Sequence, residues 1–122
     1  MSTEKGRKAE DRAVFHLRMK GYRILDRNAR LGRGELDIVG RRGDVLAFIE
    51  VKLRPDRESG LLAVHRDKQE RLRSAASAWL ACHAGLQHLQ CRFDLIILTP
   101  GSAGSIRESI RPRIEHLQDV FR

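Results

Sequence analysis

Cysteine is scarce, with two residues in a chain of 122; that is too few for a disulfide framework, and two reduced thiols are expected. No apolar run approaches the roughly 20 residues that cross a bilayer. The opening MSTEKGRKAEDR has no apolar core of a secretory leader, so the sequence predicts a cytoplasmic protein without membrane contact. Aromatics are also few, and the one Trp, Trp79, falls on the apolar face of a predicted helix, where it belongs to a core rather than to a base-stacking platform. No Ser-His-Asp or Cys-His arrangement stands out, and the glycines form neither a P-loop nor a dinucleotide fingerprint. Cys82, His83, His88 and Cys91 lie close together but lack paired zinc spacing. Cys82 and His83, adjacent on a helix, point about 100° apart. No zinc is expected, and Cys82 reads as a buried thiol. With no internal repeat and no linker, residues 1–122 are expected to form a single domain.

What the chain has in excess is positive charge: 24 Lys and Arg against 16 Asp and Glu, a formal net of +8. Such a balance suits a polyanion, with a solvated basic surface as the plain alternative. Within it, GELDIVGRRGDVLAFIEVK from Gly34 to Lys52 reads as two strands, Glu35–Val39 and Val45–Leu53, joined through Gly40 to Gly43. In the second strand Glu50 and Lys52 share a face with Leu46 and Phe48, while Val45, Ala47, Ile49, Val51 and Leu53 take the other. Apolar residues on both faces predict a strand covered on both sides. A carboxylate or an ammonium there is costly unless paired or bound to a metal.

Around this hairpin a helix is predicted from Glu4 to Lys20, stopped by Gly21, with Ala13, Val14 and Leu17 on its apolar stripe and Glu10 in the middle of it. A partly exposed or Arg-paired Glu10 and a site role stand level. A strand at Tyr22–Leu25 leads to a loop, Asn28 to Gly34; Arg27 just before it and Arg30 and Arg33 within it recur at every third position, suited to steering phosphate or to simple solvation. Arg54–Gly60 reads as a polar loop, Arg66–Ala84 as a second helix, Arg92–Leu98 as a central strand, Pro100–Ser109 as a mobile loop, Ile110–Leu117 as an edge strand and Gln118–Arg122 as a terminal turn. The order is α-β-β-β-α-β-β, an α/β fold with a mixed sheet flanked by helices.

Two carboxylates and a lysine on adjacent strands suit phosphodiester hydrolysis. Asp37 and Glu50, with the Val51 carbonyl as a third donor, offer hard oxygens to Mg²⁺ or Mn²⁺. Lys52 would orient or deprotonate a water and offset charge developing on the phosphate. Glu35 lies on the face of Asp37, and Glu10 could reach from the helix. A plain salt bridge of Asp37 or Glu50 with Lys52 is the competing account. A turn centred near Arg42 would leave Glu50 roughly 10 Å along the strand from the partner of Asp37, so a bulge or strong twist near Val39-Gly40 is expected to draw the acids together.

Gly34-Glu35-x-Asp37, Phe48-x-Glu50-Val51-Lys52-x-Arg54 and Arg92-Phe93-Asp94 resemble the motifs of the bacterial YraN-like family, assigned to the PD-(D/E)XK nuclease superfamily. The resemblance runs nearly end to end, through Ala9-Glu10, Gly21-Tyr22, Asn28, Lys68 and Phe121. The spacing of Asp and Glu-x-Lys is also similar to that of archaeal Holliday-junction resolvases. The resemblance implies a restriction-endonuclease-like α-β-β-β-α-β core, with Asp37, Glu50 and Lys52 as the catalytic set and Glu10 as a supporting acid. Leu36 stands where the superfamily motif has Pro. The implied activity is metal-dependent hydrolysis of nucleic acid, DNA endonuclease action on branched or junction DNA included, with Arg54 joining Arg30 and Arg33 on the backbone. A homodimer is an expected assembly because a junction offers two equivalent strands. Lys68 and Asp94 are each open between a site role and a structural one, and a non-catalytic nucleic-acid-binding or partner-binding module on the same fold is the alternative function.

Overall fold

The computed structural model describes residues 3–100 and 112–122. Beyond Pro100, the expected mobile loop and Ile110 lie outside the described residues. Helix α1 spans Glu4–Met19; the Thr3 hydroxyl caps it by accepting the Gly6 N–H at 3.0 Å. It ends with Gly21 N–H bonded to Arg18 O and Tyr22 N–H to Leu17 O, the paired bonds of a Schellman stop. Strands β1 (Arg23–Leu31), β2 (Gly34–Arg42) and β3 (Val45–Leu53) follow, then helices α2 (Arg57–Leu62) and α3 (Arg66–Ala81), a short 3₁₀ turn, and strands β4 (Gln90–Thr99) and β5 (Arg113–Phe121).

The five strands lie in chain order, β1-β2-β3-β4-β5. Every neighbouring pair is antiparallel except β3 and β4, which run parallel because α2 and α3 carry the chain back between them. The sheet is therefore mixed and flanked by helices, the α/β architecture with a restriction-endonuclease-like core that the sequence predicts. One face packs Leu36, Val39, Leu46, Phe48, Leu95 and Ile97 against Leu72, Ala75, Ala76 and Trp79 of α3. The opposite face packs Ile38, Ala47, Ile49, Val51, Ile96 and Leu98 against Ala9, Ala13, Val14 and Leu17 of α1. Strand β3 gives alternate residues to the two cores, as its pattern of apolar residues demands. Trp79 is a core residue, its Nε1–H donating to Asp26 at 2.9 Å and its ring edge-on to Phe48.

Four local expectations need correction. Strand β1 runs on through Asn28, Ala29, Arg30 and Leu31, where a loop was expected; Ala29 and Leu31 pack on the α3 side while Arg27 and Arg30 face solvent, so charge on one face masked a strand. Part of the Arg54–Gly60 stretch is helix α2, started by Asp56 accepting the Ser59 N–H at 2.7 Å. Strand β5 continues to Phe121 in place of a terminal turn, held where Phe121 stacks on Phe93 with centroids 4.6 Å apart. Cys82 is exposed, because it caps α3 beyond the last buried residue of that helix.

Candidate active site

The β2–β3 hairpin closes on two residues, Gly43-Asp44, and Gly43 takes φ +60, the left-handed backbone that mirror-image hairpin turns require. Pairing then runs without interruption from Arg42↔Val45 to Ile38↔Ile49. The next position in that register sets Asp37 opposite Glu50. The separation of roughly 10 Å along the strand expected from the sequence is therefore wrong: Gly40 is a strand residue, and the turn is shorter and later than supposed. The distortion expected at Val39-Gly40 is absent from the β2–β3 ladder. A bulge lies against those residues in β1, between Ile24↔Gly40 and Asp26↔Val39, but it is the register that brings the acids together.

Past Ile38 the ladder opens into a fork. A continued register would hand the Val51 N–H to Leu36; it goes instead to Asp37 Oδ2 at 2.8 Å. Leu36 and Val39 belong to the α3-side core and Ile38 to the α1-side core, so the strict alternation of β2 slips by one residue at Asp37. In β1 the residue facing this slip is Asn28, which holds φ +52 between the pairs Arg27↔Ile38 and Ala29↔Leu36. Non-glycine residues in this conformation cost about 1–2 kcal/mol, least for Asn. A strand residue points its N–H and C=O to the same edge, so the Val51 carbonyl also faces the fork.

The charges at the fork are buried or half-buried and incompletely matched. Glu50 is 3% exposed; its Oε1 meets Lys52 Nζ at 3.0 Å and Lys68 Nζ at 3.3 Å, while its Oε2 is buried without a partner. Glu10 is 8% exposed and its Oε2 is likewise unpartnered. Burial raises the Glu10 carboxyl above its ordinary value, offset in part by a hydrogen bond from the Asn28 side chain and by Arg27. Asp37 is pushed up to about 7, first by burial and then by the charge of Glu50, against which the Val51 N–H pulls only partway back. At neutral pH Asp37 is therefore only partly ionised, and the fork carries less negative charge than its three carboxyls would otherwise give it. Three carboxyls and two ammonium groups leave it one negative charge in excess when all are ionised.

The residues singled out in the sequence divide accordingly. Asp37, Glu50, Lys52, Lys68, Glu10 and the Val51 backbone converge on the fork. Glu35 turns instead to Arg30 across the β1–β2 pair, at 3.6 Å. Arg30 and Arg33 lie on a groove beside the fork together with Lys68 and Arg71, and Arg54 lines a second groove with its Nη1 donating to Leu53 O. His83 stacks on Trp79 at 3.7 Å and directs its Nδ1 at Trp79 O. Asp94 lies outside the fork. Arg92 binds both its oxygens, at 2.8 and 2.9 Å, His116 Nε2 meets Oδ2 at 2.7 Å, and the Asp119 N–H meets Oδ1 at 3.0 Å. It is a structural clamp. His116 and Asp119 in this clamp, and Asn28 as the strained residue opposite Asp37, carry no motif signal apart from Asn28 itself, because only pairing between strands reveals their roles.

Among the described residues no three His, Cys, Asp and Glu side chains form a group able to hold a metal ion alone. The donors that face the fork are the carboxylates of Asp37 and Glu50 and the Val51 carbonyl, with Glu50 Oε2 itself unpartnered and a second orphaned oxygen, Glu10 Oε2, nearby. That set fits Mg²⁺ or Mn²⁺, which commonly take one or two protein carboxylates and complete their shell with water and substrate oxygens.

The model of the uncharacterised protein family UPF0102 matches residues 9–98. The chain is similar to a UPF0102 protein of Maricaulis maris (strain MCS10), 45% identical over 97 residues that cover 80% of this chain and 76% of the relative. A UPF0102 protein of Methylocella silvestris is 42% identical over 95 residues, 78% of this chain and 77% of the relative. One from Nitrobacter winogradskyi is 45% identical over 95 residues, 78% of this chain and 80% of the relative. The matched span takes in every residue of the fork.

Proposed function

This chain belongs to the family UPF0102, and from that premise and the geometry of the fork we propose that it is a metal-dependent nuclease of the PD-(D/E)XK type, hydrolysing phosphodiester bonds of nucleic acid, DNA in the first instance and branched or junction DNA among its forms. One observation carries the reading. A half-buried acid, Asp37, and a buried one, Glu50, stand opposite each other where β2 leaves β3, with a lysine two residues beyond the second and one Glu50 carboxylate oxygen left unsatisfied. A fork serving stability alone would leave no buried oxygen without a partner, since each such orphan costs about 1–3 kcal/mol or more.

Asp37 and Glu50 would hold Mg²⁺ or Mn²⁺, with the Val51 carbonyl facing the same opening. The ion supplies polarisation of the phosphate oxygens and a bound water of lowered pKa. The chain's own groups do the rest. The Val51 N–H fixes the rotamer of Asp37, so the acid is aimed before substrate arrives. Lys52 and Lys68 are anchored on one oxygen of Glu50, which keeps two ammonium groups beside the reacting phosphate and offsets its growing negative charge. Lys52 also positions the attacking water. Glu10 adds a second rank of negative potential behind Asp37 and favours a bound cation. Free thiols at Cys82 and Cys91 agree with a cytoplasmic setting, and among the described residues no helix is long and apolar enough to cross a membrane.

The test is cleavage of linear, nicked and four-way DNA with Mg²⁺ or Mn²⁺. The wild type is expected to cut at least one form, and Asp37→Asn and Lys52→Ala to lose about 100-fold or more, the scale of removing one transition-state interaction. The second reading, a nucleic-acid-binding module without catalysis, draws on the occupation of Glu50 Oε1 by two lysines, which neutralises part of the site without a metal. It takes over when all variants bind alike and none cuts.

A further inference from the structure

Two grooves flank the fork at one end of the sheet, and both are basic. Because β3 and β4 run parallel and β2 antiparallel to them, the β1–β2 turn, the C-terminal ends of β3 and β4 and the N-terminus of α1 all gather at this end. The first groove lies over β1 and β2 beside α3, lined by Arg30, Arg33, Lys68 and Arg71, with Glu35 its only acid among the described residues. The second lies over β3 and β4 beside α1, lined by Lys5, Lys8 and Arg54 among others, with no acid among the described residues. The first groove is on the α3 face of the sheet and the second on the α1 face, so a path from one to the other crosses the end of the sheet at the β2–β3 fork.

We infer that the grooves are two halves of one phosphate track, holding a single polynucleotide strand on both sides of the phosphodiester at the fork; the position of that phosphodiester rests on the nuclease reading above. Three features support the inference. Arg33, Arg71 and Lys5 make no side-chain hydrogen bond or ion pair among the described residues, so cationic charge on each side is uncommitted. The first groove is preformed: a Cβ on Gly34 would lie 2.6 Å from the Arg71 carbonyl oxygen, so the β1–β2 turn sits directly on the backbone of α3, and the Arg33 N–H donates to Ser74 Oγ at 3.1 Å. Arg33 is thereby held at a fixed place, which lowers the ordering cost of binding. Lys68 belongs both to this groove and to the Glu50 pair, which makes the groove continuous with the fork. A strand held on one side only would use one groove and leave the other without purpose. A strand held on both sides presents an internal bond.

The experiment measures binding of fluorescent single-stranded DNA, single-stranded RNA, duplex and four-way DNA by anisotropy in EDTA across a salt series. Arg33→Ala with Arg71→Ala, and separately Lys5→Ala with Lys8→Ala, are each expected to weaken binding and to shrink the slope of log K against log salt by about 1 to 2, at roughly 0.7–0.9 for each phosphate no longer neutralised. The control pair Arg18→Ala with Arg23→Ala, exposed cations at the far end of the sheet, is expected to leave the slope unchanged. A slope that responds to one groove alone, to neither, or equally to the control overturns the inference. Whether DNA or RNA gives the effect identifies the polynucleotide. Effects from both grooves without Asp37-dependent cutting in Mg²⁺ or Mn²⁺ would keep the track and remove the nuclease reading. Asp37-dependent cutting with only one responsive groove would do the reverse.

Discussion

The sheet buries carboxylates in two places and treats them in opposite ways. Around Asp94, on β4, every oxygen is answered: a bidentate Arg92, His116 and the Asp119 N–H surround it, Arg92 also reaches Tyr22, and Lys20 meets the far nitrogen of His116 at 2.8 Å. Burial alone would raise this carboxyl, but the bonds from His116, Arg92 and Asp119 outweigh it and hold Asp94 below the usual carboxylate range. At the fork, Asp37 and Glu10 are raised, and two buried oxygens have no partner. The fold has the means to satisfy a buried acid and uses them one strand away. Incomplete satisfaction at the fork is therefore a feature of that place, and the divalent cation proposed above would complete it.

The largest expected effect lies in the clamp. Asp94→Ala leaves Arg92 buried without its carboxylate and should cost about 3–5 kcal/mol in urea unfolding; a loss below about 1 kcal/mol would show the clamp to be ornamental. The fork should respond with the opposite sign. Asp37, raised to about 7, binds a proton in the folded chain that the unfolded chain has already lost, so its contribution to stability falls as pH rises from about 4 to about 7 and stays low above that. Asp94, whose carboxyl is lowered, contributes stability above the ordinary carboxylate pKa and loses it as pH drops through its own lower value. Asp37→Asn is accordingly expected to match the wild type near pH 4 and to exceed it at pH 8 by an amount on the order of a few kcal/mol. Equal stability at both pH values would dissolve the contrast between the two regions.

Next in size is the response to metal. Mg²⁺ or Mn²⁺ at a hundredfold excess over its Kd should stabilise the wild type by about 2.7 kcal/mol, read as a rise in Tm, with little or no rise in Asp37→Asn and a full rise in a clamp variant that still folds. A full rise in Asp37→Asn would place the ion elsewhere. The smallest effect concerns Asn28. Asn28→Gly keeps the left-handed backbone and removes the hydrogen bond to Glu10, so stability should change by less than about 1 kcal/mol, while a carboxyl-resolved titration should find Glu10 raised further. An unmoved Glu10 would separate Asn28 from the site.

Much of the fold could be read in the residues. The alternation in Val45–Leu53 gave β3 to the residue, the apolar run before Thr99 gave β4, and the stripe on α1 placed Glu10 inward. Asp37, Glu50 and Lys52 were legible because ionisable residues in doubly covered strands violate the local pattern, and a violated pattern is a signal. Arg27, Arg30 and Arg33 misled for the converse reason: charge on one solvent face of an outer strand looks like a loop.

The sequence alone determined which residues prefer the interior, which strands are covered on both faces, and which acids are out of place there, since hydropathy and its period are properties of the local chain. Only the tertiary structure decided that Asp37 stands opposite Glu50, that Asn28 strains to let β2 slip, that Asp94 is answered on both oxygens and Glu50 on one, and that two basic grooves share one end of the sheet. Those depend on register and on which elements meet across the core, and a single residue's difference in where a turn begins changes every partner along the strand.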